Sequence, residues 1–151
     1  MKTLNIDFNL DPFLTLDPKL LKQKNGKLLI DVDGELTITL GESRFFGEPS
    51  LTLLELGVAL KRWRIEDPNA IKDFHFFTME HDEKEGPILA FRRQGKSGWQ
   101  LFSIWQAFSH DGLISAEDLL EAVDRYLATL EEVLIKRYGL RYQDFMKRQW
   151  L

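Results

Sequence analysis

Residues 115–139 carry the pattern that leaves this chain the least freedom. Leu119, Leu120, Val123, Tyr126, Leu127, Leu130, Val133 and Leu134 recur at spacings of three and four, which lines them along one side of an α-helix. Ser115 stands where an N-cap is needed, with Asp118 as its reciprocal acid, and Gly139 supplies the stop signal. Glu121 with Arg125 and Glu132 with Lys136 are favourable i,i+4 pairs for the wet side. A helix with one apolar stripe has to bury it, so the rest of the chain must supply a surface.

Strands are the candidates for that surface. "LNIDFNL" (4–10) alternates Leu4, Ile6, Phe8 and Leu10 with Asn5, Asp7 and Asn9, the pattern of a half-buried strand. Two Asp-Pro steps in "DPFLTLDPK" then interrupt regular structure. The aliphatic, β-branched run 27–40 reads as strand. Its Asp33-Gly34 step is preferred as a hairpin turn, with a bulge in one long strand as the alternative. "GES" (41–43) is a further turn, followed by a short "RFF" strand.

A first helix is expected over about 51–64, capped by Ser50 or by a Thr52–Glu55 box. Apolar residues occupy most of its circumference, so it should be buried on several sides, with Gly57 admitting a neighbouring backbone. Segments 72–80, 87–93 and 98–107 read as three strands whose short connections demand an antiparallel meander. The tail, residues 140–151, repeats the helical pattern weakly and reads as a short docked helix. Strands and helices in blocks, without βαβ alternation, predict one α+β domain over residues 1–151. The expected architecture is an antiparallel sheet of about five to six strands with two main helices on one face.

Composition narrows the chemistry. At 151 residues the chain can bury roughly 70% of its unfolded surface and needs no staple. A net charge of −4 argues against nucleic-acid binding, which depends on basic patches. With no cysteine, disulfides and thiol chemistry are excluded. No run approaches the 18 or so apolar residues of a membrane span and the start has no apolar leader, so the expectation is a cytoplasmic protein.

The densest polar cluster is "EHDEKEGP" (80–87). If strands 72–80 and 98–107 run in the same direction, His81 and His110 should share one edge of the sheet, roughly 10 Å apart across two strand spacings. Glu80, Asp82 and Asp111 would lie near them. Imidazoles and carboxylates so placed could hold a divalent ion. The preferred reading is a solvated hairpin tip, because no compact ligand spacing such as HExxH is present. Ser103 lacks the G-x-S-x-G elbow, and adjacent Ser109, His110 and Asp111 make a poor triad.

Aromatic residues are the other distinctive feature. In a strand through 98–107, Trp99, Leu101, Ser103, Trp105 and Ala107 share one face, with Phe102, Ile104 and Phe108 opposite. Both faces are then substantially apolar. One covers the helices, and the other is expected to be covered by the tail and N-terminal segment, with a pocket or partner as the alternatives.

The segments "LLELGVALKRW" (53–63), "FFTMEHDEKEGPILAF" (76–91) and "LFSIWQAF" (101–108) resemble a small, largely uncharacterised family of bacterial proteins. The likeness spans roughly residues 27–135. In length and strand–helix order that family is similar to the immunity proteins that neutralise polymorphic toxins. The resemblance implies a protein partner and brings no catalytic positions with it.

The expectation is therefore a non-enzymatic protein-binding module of the toxin-neutralising kind, with no cofactor and no nucleic-acid or membrane partner. Its contact surface is expected at Glu80, Asp82, Glu83, Glu85 and Asp111, with Trp99 or Trp105 as anchors if exposed. One alternative is a metal-dependent enzyme or metal-binding protein using His81 and His110, and another is a small-molecule-binding domain. An uncovered sheet face or edge would favour a two-fold homodimer.

Overall fold

The computed structural model describes residues 3–79, 81–96, 98–109 and 112–146. The alternating N-terminal segment is strand β1 (Leu4–Asn9). The second Asp-Pro step opens a helix instead of breaking one. Asp17 caps α1 (Pro18–Gln23), accepting the Lys19 N–H at 2.9 Å, and Pro18 takes the first-turn position where its missing N–H costs nothing.

Residues 28–31 are not strand. They form a short helix, α2 (Leu28–Asp31), whose Leu28 and Leu29 are buried. No hairpin turns at Asp33-Gly34. Strand β2 (Asp33–Leu40) starts there and pairs antiparallel with β1 and with β3 (Ser43–Thr52), and its register shifts between Gly34 and Leu36. That shift is an irregularity at the start of β2 and not a bulge in one long strand over 27–40. Only the bulged pairing of the alternative is present, and the turn into β3 falls at Gly41-Glu42.

The first long helix, α3 (Leu53–Glu66), begins two residues later than expected, with Thr52 at its N-cap. Ser50 instead donates to Asp33 Oδ2 (2.7 Å), a bond between β3 and β2. The second half of the chain makes its own sheet of β4 (Phe74–Phe76), β5 (Leu89–Gln94), β6 (Gly98–Phe102) and β7 (Ile114–Ser115). The expected meander is there, but its first and third strands are shorter than the sequence pattern suggests.

The expectation of one sheet of five to six strands is corrected by this layout. Among the described residues, seven strands form two antiparallel sheets, ordered β1-β2-β3 and β4-β5-β6-β7. The placement of the helices is corrected with it. Helix α3 packs against β2 and β4, while α4 (Ala116–Tyr138) packs against β1 and β6, so each long helix touches both sheets. A stripe of apolar residues fixes that a helix is buried without saying how many surfaces bury it.

Helix α4 carries the expected caps. Ser115 Oγ accepts the Asp118 N–H (3.1 Å), and Gly139 closes the helix in the left-handed conformation. Its buried Tyr126 meets the Phe8 ring edge-on and donates its hydroxyl to the Leu53 carbonyl (2.9 Å), joining β1, α3 and α4 at one point. Burial, with Tyr142 nearby, pushes the Tyr126 phenol well above its usual range, so it stays a donor across the physiological range. Of the expected tail helix, residues 142–145 form a 3₁₀ turn with Tyr142 and Phe145 buried. Residues 147–151 lie outside the described residues.

Candidate functional site

The loop from Phe77 to Pro87 is built around the His81 ring. That side chain is only 8% exposed, stacks on Phe77 and meets Trp105 edge-on at 5.9 Å between centroids. Its Nε2 lies 2.8 Å from the Gly86 carbonyl oxygen. A carbonyl can only accept, so Nε2 carries the proton and is spent inside the loop. Nδ1 faces the Glu85 carboxylate at 3.9 Å.

The acids around His81 divide into builders and surface. Asp82 Oδ1 accepts the Lys84 N–H (3.0 Å) and opens a 3₁₀ turn over Glu83–Glu85. Gly86 ends that turn at φ +99°, and a β-carbon there would stand 2.9 Å from Ile104 Cγ2, so both conformation and space call for glycine. Asp82, Glu83, Lys84 and Glu85 are all exposed.

Trp105 belongs to a second, adjoining turn. Ser103 is buried, its Oγ accepting the Trp105 N–H (2.9 Å) and its N–H donating to Gln106 Oε1 (3.0 Å). A serine so placed builds a turn. The Ile104 N–H bonds the Pro87 carbonyl (3.2 Å) and the Ala107 N–H bonds that of Phe45 (2.8 Å), tying this turn to the acidic loop and to the first sheet.

The two tryptophans part company here. Trp99 is completely buried, edge-on to Trp63 in a cluster with Phe74 and Phe91, so it is removed from the expected contact surface. Trp105 is 46% exposed and stays on it, with Met79, 53% exposed, on the same loop system. Their shared strand parity fails because β6 ends at Phe102 and the Ser103 turn resets the direction of every later side chain. Glu80, His110 and Asp111 lie outside the described residues, so the expected His81–His110 rim does too. Among the described residues, no group of three or more His, Asp or Glu side chains is arranged to hold a metal ion.

Beside the loop, the chain from Lys72 to Met79 runs antiparallel along α3. Trp63 Nε1 donates to the Lys72 carbonyl (3.1 Å) at one end, and the Met79 N–H donates to Glu55 Oε2 (3.0 Å) at the other. Between these ties lies a groove of about 280 Å³ whose apolar lining includes Val58, Ala59, Phe76 and Phe77. The exposed His75 is on its margin. Nothing in the sequence alternation marks this groove, because it forms between a helix and a segment that is only briefly strand.

The connection feeding β4 is set by the buried Asp67. Its Oδ2 accepts the N–H groups of Ile71 (2.8 Å) and Lys72 (2.7 Å). Burial opposes ionisation, but these two donors and the charges of Lys72 and Arg93 outweigh it and hold the carboxyl below its usual range.

Fold and loop together define an α+β domain in which two antiparallel sheets share a pair of long helices. The chain belongs to the family described as a domain of unknown function, DUF7878, whose model matches residues 6–136. Comparison with curated proteins gave no match, and comparison with solved structures gave none. No helix among the described residues is long and apolar enough to cross a membrane.

Proposed function

We propose that this chain is a non-enzymatic protein-binding module, of the toxin-neutralising kind its family resemblance implies. Its contact surface is the loop carrying Asp82, Glu83 and Glu85 together with Trp105 and Met79. One observation carries the reading: His81 and Ser103, the side chains there best suited to chemistry, are tied into holding the loop. His81 Nε2 is committed to Gly86, and Ser103 Oγ to Trp105. What faces outward is an aromatic ring, a methionine and carboxylates, the anchor-and-rim anatomy of protein interfaces. A loop fixed before binding loses little further entropy when a partner docks.

Replacing Trp105 with a photoreactive amino acid in cells that naturally make the protein tests this. A discrete crosslinked adduct is expected from position 105 and not from the exposed Asp7 on the first sheet. The same pattern from both positions, or no adduct from 105, overturns the proposal.

A further inference from the structure

The groove along α3 has chemistry of its own, and the inference drawn from it rests on the protein-binding reading above. We infer that the groove seats one lysine or arginine side chain of a protein partner. The aliphatic stem lies on Val58, Ala59 and Phe77, and the cationic head is directed to the Glu55–Glu83 end.

Size comes first. Cavities that hold small molecules typically run from about 300 to 1,000 Å³. At about 280 Å³ and open to solvent, this groove suits a single anchoring side chain better than a free ligand. Long cationic side chains lay their methylene stems on apolar surface while the head stays in water.

Charge gives the direction. Glu55 Oε1 accepts the Thr52 hydroxyl (2.8 Å) and Oε2 accepts the Met79 N–H (3.0 Å), so the carboxylate is oriented by both sides of the groove. Glu83, in the exposed 3₁₀ turn, lines the same cavity. Arg62 stands two helical turns along α3 from Glu55 and donates its guanidinium to the Phe145 carbonyl (3.2 Å). The groove is therefore acidic at the Met79 end and cationic at the far end. An anionic head would meet two carboxylates at the first and a committed guanidinium at the second. A cation finds complementary charge continuous with the acidic contact loop, and arginine is enriched among such anchors.

The test uses the full ¹⁵N-labelled chain and two peptides, acetyl-Gly-Leu-Arg-Leu-Gly-amide and the same peptide with norleucine replacing arginine. The arginine peptide is expected to move the amide signals of Ala59, Phe77, Met79 and Glu83 saturably at about millimolar concentration. The norleucine peptide should bind about tenfold more weakly. Glu83→Gln, an exposed change that leaves the fold intact, should weaken the arginine peptide severalfold, and Ala59→Leu should fill the groove and abolish the shifts. Equal responses to both peptides, no response, or shifts confined to the Trp105 turn overturn the inference. If position 105 crosslinks while the groove signals stay still, the protein-binding reading stands and the groove assignment falls.

Discussion

The phenol ring of Tyr142 lies where a side chain on Gly57 would have to go: a β-carbon built on that glycine would be 2.6 Å from Cε1 and 3.2 Å from Cζ of the ring. The neighbour that Gly57 admits into α3 is thus a ring from the tail and not a backbone. The residue is held at both its backbone and its hydroxyl. Its hydroxyl donates to the Leu127 carbonyl (2.8 Å), and the Tyr142 N–H donates to Glu131 Oε2 (2.9 Å).

Two effects oppose each other in Gly57→Ala. Helix propensity alone would stabilise α3 by about 1 kcal/mol. Forcing a methyl group into a pinned aromatic contact costs about 1–3 kcal/mol. The prediction is net destabilisation of up to about 2 kcal/mol, read as a lower urea midpoint at unchanged slope. A variant more stable than the parent would show that Tyr142 can yield.

Asp67 sets a pH dependence. Its folded-state pKa is depressed, so its contribution is fully present above the unfolded-state value near 3.8 and is lost as pH falls through the lower folded value. Asp67→Asn can still accept both N–H groups through its carbonyl oxygen, but without charge. The predicted cost is about 1 kcal/mol at neutral pH, the difference between charged and neutral acceptors. The acid limb of the stability–pH curve below about pH 4 should also flatten. Denaturation at pH 7 and pH 3 checks both parts, and parallel losses at the two pH values would contradict the assignment.

The sequence shows some of this structure and hides the rest for physical reasons. Helix α4 is legible because a 3,4-spaced stripe bounded by Ser115 and Gly139 has one geometrical meaning. The division into two sheets is not, because alternation such as that of Leu4, Ile6 and Phe8 says which face is buried and not which strand is the neighbour. The meander was readable from its short connections, which force antiparallel order. Gly57 read as a close approach, but its partner, Tyr142, lies in a distant segment no local pattern links to α3. The acidic loop is legible as a strand connection, yet the inward position of His81 depends on Phe77 and Trp105 meeting around it.

Trp99 and Trp105 test how far exposure separates two residues of one type. Trp99 fills a fully buried site against Trp63, so Trp99→Ala is predicted to cost about 3–5 kcal/mol. Trp105 is 46% exposed and meets the His81 ring edge-on, so Trp105→Ala should cost about 1 kcal/mol or less while weakening partner capture. Thermal unfolding of both variants separates these outcomes. Similar losses in the two would mean that Trp105 is a packing residue and would remove it from the contact surface.

His81 holds the acidic loop through one ring nitrogen and two aromatic contacts. With Nε2 bonded to the Gly86 carbonyl and the ring held between Phe77 and Trp105, the side chain fastens the turn over Glu83–Glu85 to the body of the protein. His81→Ala removes the donor and leaves the half-buried Gly86 carbonyl without it, a loss of about 1–3 kcal/mol. His81→Gln can still offer an N–H and should recover part of it. The effect should be local first, because an exposed loop opens more easily than the sheets behind it. Hydrogen exchange at the amides of Glu85 and Gly86, which bond the carbonyls of Asp82 and Glu83, should therefore accelerate in His81→Ala, with Phe91 and Leu101 in the β5–β6 core unchanged. Zinc added to the parent should leave that exchange unaltered, since no group of three His, Asp or Glu side chains among the described residues surrounds the Nδ1 that remains open. Slower exchange with zinc would mean that an ion held at Nδ1 and Glu85 braces the loop, and the metal-binding alternative would then join the structural role argued for this histidine.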